Sequence, residues 1–301
     1  GSTAVGSVVA GTGAAISFGA QTTPGAYTVL GTDAVTGCPN NMAGSVMVNV
    51  NPLPGLFVVT GGGNYCAGGT GAAVGLSGSA AGVNYQLMRG TTAVGSAVAG
   101  TGAALSFGMQ TTSGTYTVVA TNPTSGCVNT MTGSAVVNIS PLPASFTITG
   151  GGNYCTGGSG VSVGLSGSST GISYQLYAGA VPAGAPRAGT GGPLNFGLQT
   201  IGDVYTVIAT NVVTGCTATM TGTTTVVVSP LPALRTVTGG GNFCTGGAGV
   251  NVGLDGSNTG ISYQLYKGAF AAGAAVPGST GTPINFGLQT AVGIYTVVAT
   301  N

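Results

Sequence analysis

The sequence predicts an all-β protein built from tandem β-sandwich modules. The first observation is a repeat of 89 residues, which six cysteines mark at two positions. The first cysteine position holds Cys66, Cys155 and Cys244, and the second holds Cys38, Cys127 and Cys216. The other two observations are short segments of alternating polar and apolar residues between glycine-rich turns, and the lack of any long stretch of helical periodicity. A unit of this length is too long for one coil of a solenoid and is typical of a small complete domain.

Each full unit contains segments for seven short strands. In the sixth segment, TYTVVATN, Tyr116, Val118 and Ala120 share one face of the strand while the intervening residues share the other. Regularly spaced strands with glycine-rich turns indicate an immunoglobulin-like β-sandwich. The predicted strands of residues 52–140 are Leu56–Thr60, Ala72–Leu76, Val83–Met88, Ala93–Ala99, Ala104–Gly108, Thr115–Thr121 and Ser134–Ile139.

Aromatic residues recur at fixed places in these segments. A Gly-x-Tyr motif opens the sixth strand, where a sandwich of this type has its tyrosine corner. The third strand reads NYQLM or SYQLY, which predicts that Tyr85 and Leu87 point inward, and the absence of Trp there argues against an antibody-type domain. The corner tyrosines are Tyr27, Tyr116, Tyr205 and Tyr295, and the predicted core phenylalanines are Phe18, Phe107, Phe196 and Phe286.

The repeat predicts four modules at residues 1–51, 52–140, 141–229 and 230–301. The first module lacks its first three strands and the last lacks its seventh. Strand donation between copies would then duplicate three strands, so we interpret the chain as an excerpt of a longer tandem array. A Pro-Leu-Pro motif opens each of the last three modules and predicts a stiff, extended linker. Its prolines are Pro52, Pro54, Pro141, Pro143, Pro230 and Pro232.

The composition excludes several classes of function. Charged residues make up 2% of the chain and the formal net charge is +1, which argues against a nucleic-acid surface or a polybasic membrane patch. No apolar run is long enough to span a bilayer. Disorder is not expected either, because 43% of the residues are hydrophobic. So little charge repulsion favours packing against neighbouring copies of the chain.

The residues that enzymes need are nearly absent. The chain has no His or Glu, and its acids Asp33, Asp203 and Asp255 occupy different positions of the repeat. General acid–base catalysis and Ser-His-Asp hydrolysis therefore lack their residues, and we expect no enzyme, no cofactor and no metal. The run GGGNYCAGGTG has no Lys and no following helix, so its glycines indicate turns and not a phosphate loop.

The six cysteines predict disulfides in an oxidising, extracytoplasmic compartment. Metal sites and redox motifs usually need Cys-x-x-Cys or His partners, and neither occurs. Three pairings remain open for Cys66: Cys127 in its own module, Cys38 across the linker, or Cys216 in the next module. Module autonomy favours Cys127, although the turns holding Cys66 and Cys127 lie at opposite ends of a standard sandwich unless the loop Gly61–Gly71 folds over to bridge them.

The third strand also predicts a surface for contacts. Tyr177 and Tyr266, which occupy the repeat position of Met88, are expected to point outward. They are the candidates for contact with a glycan or with a neighbouring chain.

The unit C-x-G-G…L-S-G…YQL…G-x-Y-T-V-x-A-T-N…G-C…V-x-V-x-P-L-P resembles the Ig-like repeats of giant secreted proteins of Bacteroidetes-type bacteria, including gliding-motility adhesins. The resemblance covers the whole chain. It implies export to the outer cell surface, commonly by the type IX route, and a role in adhesion, gliding or surface coats. Repeats of that family often have Trp at the position of Leu87, Leu176 and Leu265, and Asp at the position of Asn122 and Asn211.

Together these observations predict an extracellular structural fibre or adhesin shaft on a bacterial cell surface, built from disulfide-stapled modules and able to self-assemble. Two alternatives stay open at this point. One is a glycan-binding adhesin array with an aromatic site on each module. The other is a passive spacer beside a functional domain outside this sequence.

Overall fold

The computed structural model describes residues 3–301, and this range forms strands and turns without a helix. The chain divides into two compact units, one ending at Pro141 and the other comprising Leu142–Asn301. The terms first, second, third and fourth repeat are used below for residues 1–51, 52–140, 141–229 and 230–301.

The first compact unit contains the first and second repeats. The strands of the first repeat are β1 (Gly25–Tyr27), β2 (Leu30–Thr32), β3 (Pro39–Asn41) and β4 (Val46–Val48). Those of the second repeat are β5 (Val59–Gly61), β6 (Gly63–Cys66), β7 (Ala72–Leu76), β8 (Asn84–Arg89), β9 (Thr92–Ala99), β10 (Leu105–Gln110), β11 (Gly114–Thr121), β12 (Val128–Thr130) and β13 (Ala135–Ser140).

The second repeat is an immunoglobulin-like sandwich, as predicted. One sheet has the strand order β10-β7-β5, and the other has the order β6-β13-β11-β8-β9, with β12 also paired to β11. Between the sheets lie fully buried side chains that include Tyr85, Leu87, Val118 and Val137. Seven of the nine strands match the predicted ones with end shifts of three residues or fewer, whereas β6 and β12 were not predicted.

The first strand of the sandwich changes sheets at a glycine run. β5 pairs with β7 in one sheet, and after Gly62 the chain continues as β6, which pairs in parallel with β13 in the other sheet. Gly62 has φ +82°, and a Cβ there would lie 2.6 Å from the carbonyl oxygen of Val136. Only glycine combines this conformation with so close a backbone approach. The GGG of the repeated motif is therefore the crossing point between the sheets, and the predicted loop Gly61–Gly71 contains a strand.

The second compact unit contains the third and fourth repeats. The strands of the third are β14 (Ile148–Gly150), β15 (Gly152–Cys155), β16 (Val161–Leu165), β17 (Ile172–Ala178), β18 (Val181–Pro182), β19 (Arg187–Ala188), β20 (Leu194–Gln199), β21 (Asp203–Asn211), β22 (Thr217–Thr219) and β23 (Thr224–Ser229). Those of the fourth are β24 (Val237–Gly239), β25 (Val250–Leu254), β26 (Ser262–Lys267), β27 (Phe270–Ala271), β28 (Val276–Pro277), β29 (Ile284–Gln289) and β30 (Tyr295–Thr300).

The third repeat has the same topology as the second. Its sheets are β14-β16-β20 and β15-β23-β21-β17-β18, with the parallel pair β15 and β23 at one edge. The fourth repeat keeps the sheet β24-β25-β29, and β26 pairs with β27, β28 and β30. Gly241–Cys244, the counterpart of β15, is not a strand in the fourth repeat.

The predicted tyrosine corners are confirmed in all four repeats. Each hydroxyl donates a hydrogen bond to the carbonyl oxygen four residues earlier, at 2.7–2.9 Å. This bond pins the turn before the sixth strand to the start of that strand. The donor and acceptor pairs are Tyr27 and Thr23, Tyr116 and Thr112, Tyr205 and Ile201, and Tyr295 and Ala291.

The predicted core positions are only partly confirmed. Tyr85 and Leu87 are fully buried, and Phe196 is buried in the core of the third repeat. Phe107 and Phe286 are half-buried against their cores. The prediction for Phe18 is wrong, because this ring is 44% exposed. No residue from 3 to 51 is buried, so the described part of the first repeat provides no core for it.

Candidate functional site

The three carboxylates each support local backbone structure, and each lies in a different repeat. Asp33 Oδ1 accepts hydrogen bonds from the N–H groups of Thr36 at 2.8 Å and Val35 at 2.9 Å, which hold its pKa below the ordinary value. Asp255 Oδ1 accepts one from the N–H of Thr236 at 3.0 Å. At the same repeat position, Ser166 Oγ accepts one from the N–H of Thr147 at 3.0 Å. Asp255 thus takes over the structural role that serine has elsewhere.

Asp203 lies two residues before a corner tyrosine. Its Oδ1 accepts a hydrogen bond from the N–H of Val204 at 2.7 Å. Burial raises the pKa of Tyr205, and the negative charge of Asp203 adds to this rise. The phenol hydroxyl donates a hydrogen bond to the carbonyl oxygen of Ile201. The Asp203 carboxylate therefore also has a structural role.

Within residues 3–301, no group of three or more His, Cys, Asp or Glu side chains is arranged to hold a metal ion. The same range contains no helix long and apolar enough to cross a membrane.

The cysteines are in two different states. Cys66 and Cys216 are disulfide-bonded. Cys38, Cys127, Cys155 and Cys244 are free thiols. The predicted pairing of Cys66 with Cys127 is therefore wrong, and so is its alternative with Cys38.

Strand register explains why Cys66 and Cys127 do not meet. Cys66 ends β6 opposite Ser140, beyond the level at which β11 begins with Gly114. Cys127 precedes β12, whose Val128 lies opposite Thr121 at the other end of β11. At about 3.3 Å per residue, the two cysteines are separated along the strands by on the order of 30 Å. A disulfide needs Cα atoms roughly 4.4–6.8 Å apart.

The first cysteine position lies beside the linker that leaves the repeat. Cys66 is opposite Ser140, and the following N–H, of Ala67, donates to the Ser140 carbonyl oxygen at 2.9 Å. Cys155 has the same relation to Ser229 in the third repeat. Ser140 and Ser229 each immediately precede a Pro-Leu-Pro linker.

The second cysteine position lies beside the linker that comes into the repeat. The Cys127 thiol donates to the carbonyl oxygen of Asn51 at 3.7 Å, and Asn129 Nδ2 donates to the carbonyl oxygen of Pro54 at 2.8 Å. Asn51 immediately precedes the Pro-Leu-Pro linker, and Pro54 is its last residue. The two cysteine positions therefore mark opposite ends of one sandwich.

The linker prolines differ in burial. The first proline of each motif is exposed, as Pro52 and Pro141 show. The second is buried at Pro54 and Pro143 and half-buried at Pro232. The linker is thus anchored on the repeat that it opens, which the sequence prediction of an extended joint did not include.

The predicted contact residues lie on the outer face of the third strand. Tyr177 follows the buried Leu176, is itself half-buried, and lies opposite Thr206 and Pro182 on its two neighbouring strands. Tyr266 and Met88 have the same half-buried place in their repeats. A shallow groove of about 310 Å³ lies in the third repeat, but its lining is residues 183–187 and Phe196. The structure therefore does not bring Tyr177 into that groove.

A recurring glutamine has a role that sequence reasoning missed. Gln86 Nε2 donates to the carbonyl oxygens of Leu87 at 2.9 Å and Val94 at 3.1 Å, where the register between β8 and β9 shifts. Gln175 donates to the carbonyl oxygens of Leu176 and Gly184, and Gln264 to those of Leu265 and Gly273. The invariant YQL of the third strand was the signal, since an apolar pattern alone does not require Gln there.

No protein-family model matches the sequence, and no curated protein is similar to it. Among solved structures, the chain is similar to Sidekick-1 immunoglobulin domains 1–5, with 15% identity and a TM-score of 0.32 over 92% of this chain and 64% of that one. A structure described as the basis for Dscam isoform specificity has 15% identity and a TM-score of 0.26 over 82% and 75%. Chicken CNTN1 FN1-FN3 domains have 11% identity and a TM-score of 0.24 over 82% and 90%. The chain spans less than two thirds of the Sidekick-1 structure.

The chain's own structure decides its class. The second and third repeats share one strand order in two facing sheets, and the tyrosine corner occurs in every repeat. The chain is an all-β array of tandem immunoglobulin-like sandwich modules.

Proposed function

We propose that this chain is a segment of an extracellular structural fibre or adhesin shaft that assembles with copies of itself. The observation that carries the proposal is the anchored linker. Pro54 and Pro143 are buried, and the Pro54 carbonyl accepts a hydrogen bond from Asn129 of the repeat that Pro54 opens. Anchoring removes freedom from a linker that proline already stiffens, which suits a load-bearing rod.

The surface supports contact between chains. The leucine between the two prolines of each linker is exposed by 62% at Leu53, 45% at Leu142 and 62% at Leu231. An apolar side chain therefore recurs on the surface once per repeat. With only seven charged residues in the chain, little repulsion opposes side-by-side packing at these points.

The cysteines support the proposed location. Disulfide-bonded Cys66 and Cys216 indicate an oxidising compartment, which is typical of secreted and cell-surface proteins. The resemblance of the repeat to those of giant bacterial surface proteins supports placing the fibre on a bacterial cell surface.

Electron microscopy of the native material tests the proposal. We expect ordered filaments thicker than one sandwich, with a helical repeat. Single beaded strands that end in a distinct tip would instead indicate a shaft that does not assemble with its copies, with the binding function in a part of the protein outside this sequence.

A glycan array tests the second alternative. Glycan binding that is lost in the Tyr177→Ala and Tyr266→Ala variants would favour a glycan-binding adhesin. We expect no such binding, because Tyr177 is half-buried and does not line the groove formed by residues 183–187 and Phe196.

A further inference from the structure

The residue that precedes a Pro-Leu-Pro linker lies close to a cysteine. Ser140, before the linker Pro141–Pro143, is opposite Cys66 in the parallel pair of β6 and β13. Asn51, before the preceding linker, accepts the hydrogen bond from the Cys127 thiol at 3.7 Å. The first contact belongs to the repeat that a linker leaves, and the second to the repeat that a linker enters. Both contacts lie within the first compact unit.

The third repeat holds the end of its linker as the second repeat does. The N–H of Thr132 donates to the carbonyl oxygen of Phe57 at 2.9 Å. At the same positions of the third repeat, the N–H of Thr221 donates to the carbonyl oxygen of Phe146, also at 2.9 Å. The segment that follows each linker is therefore bound to its repeat in the same way.

The backbone at the second cysteine position is also alike in these two repeats. The asparagine five residues earlier donates its N–H to the carbonyl oxygen of Cys127 at 2.9 Å and to that of Cys216 at 2.8 Å. Since the linker end and the cysteine loop both repeat, we expect Cys216 to lie beside the residue before its own linker, as Cys127 lies beside Asn51. That residue is Ser140, which is opposite Cys66.

We propose that Cys66 and Cys216 form one disulfide with each other, which joins the second repeat to the third across the linker between them. It is the third of the pairings that the sequence left open. Both cysteines are disulfide-bonded, and the other four cysteines of the chain are free thiols. Within residues 1–301, no other first-position cysteine is followed by a second-position cysteine in the next repeat. The pairing therefore accounts for which cysteines are bonded and which are free.

Formation of this bond is a two-electron oxidation, for which a small-molecule disulfide suffices as the oxidant. The thiolate of one cysteine attacks a sulfur of the small molecule and releases one small thiol. The thiolate of the other cysteine then attacks the protein sulfur of the mixed disulfide and releases the second small thiol. Two protein thiols are oxidised, the small-molecule disulfide is reduced to two thiols, and the two protons that leave the protein are taken up by them.

The bond gives a pulling force a shorter covalent path along the chain. The force passes from β6 through the two sulfur atoms to the residue before β22, so residues 67–215, with strands β7 to β21, do not carry it. The bond encloses about 150 residues, which span on the order of 500 Å when fully extended. The cores of two repeats are thereby protected from load. This use of the bond rests on the proposed shaft function, whereas the pairing itself does not.

Peptide mapping without reduction tests the pairing. The free thiols of the full chain are blocked with iodoacetamide, and chymotrypsin is used because the chain has only four Lys and Arg. We expect the Cys66 peptide to be linked to the Cys216 peptide in a chain that runs as a monomer on a non-reducing gel. A Cys66 peptide linked to another cysteine, a Cys66–Cys216 link found only in dimers, or a Cys66 peptide blocked by iodoacetamide would overturn the proposal.

Single-molecule pulling from the two termini tests the load path. The oxidised chain should extend by about 500 Å less than the chain treated with a reductant. Cys66→Ser should reach the full extension without a reductant. The matched control is Cys155→Ser, which removes the free thiol at the same position of the third repeat and should extend like the unchanged oxidised chain. Equal extension of the oxidised and reduced chains would overturn the proposal.

The outcome is separable from that of the fibre function. Neither mapping nor pulling depends on contacts between copies of the chain. A mapped Cys66–Cys216 link in material that forms no filaments would support this inference while the proposed assembly fails. Filaments from a chain with a different linkage would support the assembly and overturn the inference.

Discussion

The third and fourth repeats contain nearly the same motif with similar glycine φ angles, but only one of the two segments is paired as a strand. In GGGNYC of the third repeat, Gly152–Cys155 forms β15 and pairs in parallel with β23. In GGGNFC of the fourth, the corresponding residues form no strand, and the described residues after β30 include no counterpart of β23. Because the local sequences are so similar, the difference shows that the partner strand and not local propensity makes this segment a strand.

The cores of these repeats differ in the same way. Tyr205 and Val207 of β21 are fully buried between their neighbours. Tyr295 and Val297, at the matching places of β30, are only half-buried. A seventh strand therefore closes the sandwich over its sixth strand, and the described fourth repeat has a more open core on that side.

The largest effect that tests this comparison is expected in the core. Leu176 and Leu265 occupy the same position, and both are fully buried. Leu176→Ala should destabilise its repeat by about 3 kcal/mol, and Leu265→Ala should cost less because the open fourth core can relax around the cavity. Hydrogen exchange read separately on β17 and β26 measures both. Equal losses of stability in the two variants would contradict the interpretation that the core of the described fourth repeat is more open.

A pair of glycines at the sheet crossing gives the next effect. Gly151 and Gly240 have φ of +78° and +77°. A Cβ on Gly151 would lie 2.8 Å from the Thr225 carbonyl oxygen, whereas one on Gly240 would meet nothing within 4 Å. Both Ala variants should lose about 1 kcal/mol to backbone strain, and Gly151→Ala about 1–3 kcal/mol more to the clash. Similar exchange rates in the two variants would show that β15 shifts to relieve the clash without a measurable loss of stability.

The tyrosine of GGGNYC should have a smaller effect. The Tyr154 hydroxyl donates to the carbonyl oxygen of Thr200, and Phe243 has no hydroxyl at the matching place. Tyr154→Phe should cost about 1 kcal/mol. The reverse change, Phe243→Tyr, should add nothing measurable, since its segment is not held as a strand. Thermal unfolding followed by exchange of β15 residues measures the loss, and a clear gain from Phe243→Tyr would contradict the interpretation.

The smallest effect concerns pH and the loop after β2. Asp33 has a pKa below its ordinary value of 3.8 because it accepts the Thr36 and Val35 N–H groups. The loop therefore has its full stability above pH 3.8 and loses it as the pH falls through the lower folded pKa. The matching loop at Asn122 does not titrate. NMR shifts of the Thr36 amide should move in acid while those of the Thr124 amide stay, and Asp33→Asn should remove the change.

Much of the fold could be predicted because it depends on local patterns. Alternation in TYTVVATN placed β11 to within one residue, since period 2 is a property of the strand itself. The tyrosine corner was equally accessible, because its donor and acceptor are only four residues apart. The long-range pairing of β6 with β13 was not predicted. Asn64 and Asn138 are 74 residues apart, and the residues of GGGNYC do not indicate which strand the segment pairs with.

The candidate site was less predictable. The sequence identified the six cysteines and the two positions that they occupy, but pairing depends on where those positions lie in three dimensions. The strand register places Cys66 and Cys127 at opposite ends of the sandwich, whereas the sequence predicted one disulfide within each module. Phe18 illustrates the same limit, because a side chain becomes core only when strands from elsewhere in the chain cover it.

The sequence by itself determined the repeat, the alternating strands, the turn glycines and the absence of His and Glu, because each depends on residue type and short spacing. Only the tertiary structure decided that the first strand changes sheets at Gly62, that the second linker proline is buried, and which cysteines are free. These features depend on contacts between residues far apart in the chain. Residues so far apart in the chain come together only when the whole sandwich folds, so no single motif determines these contacts.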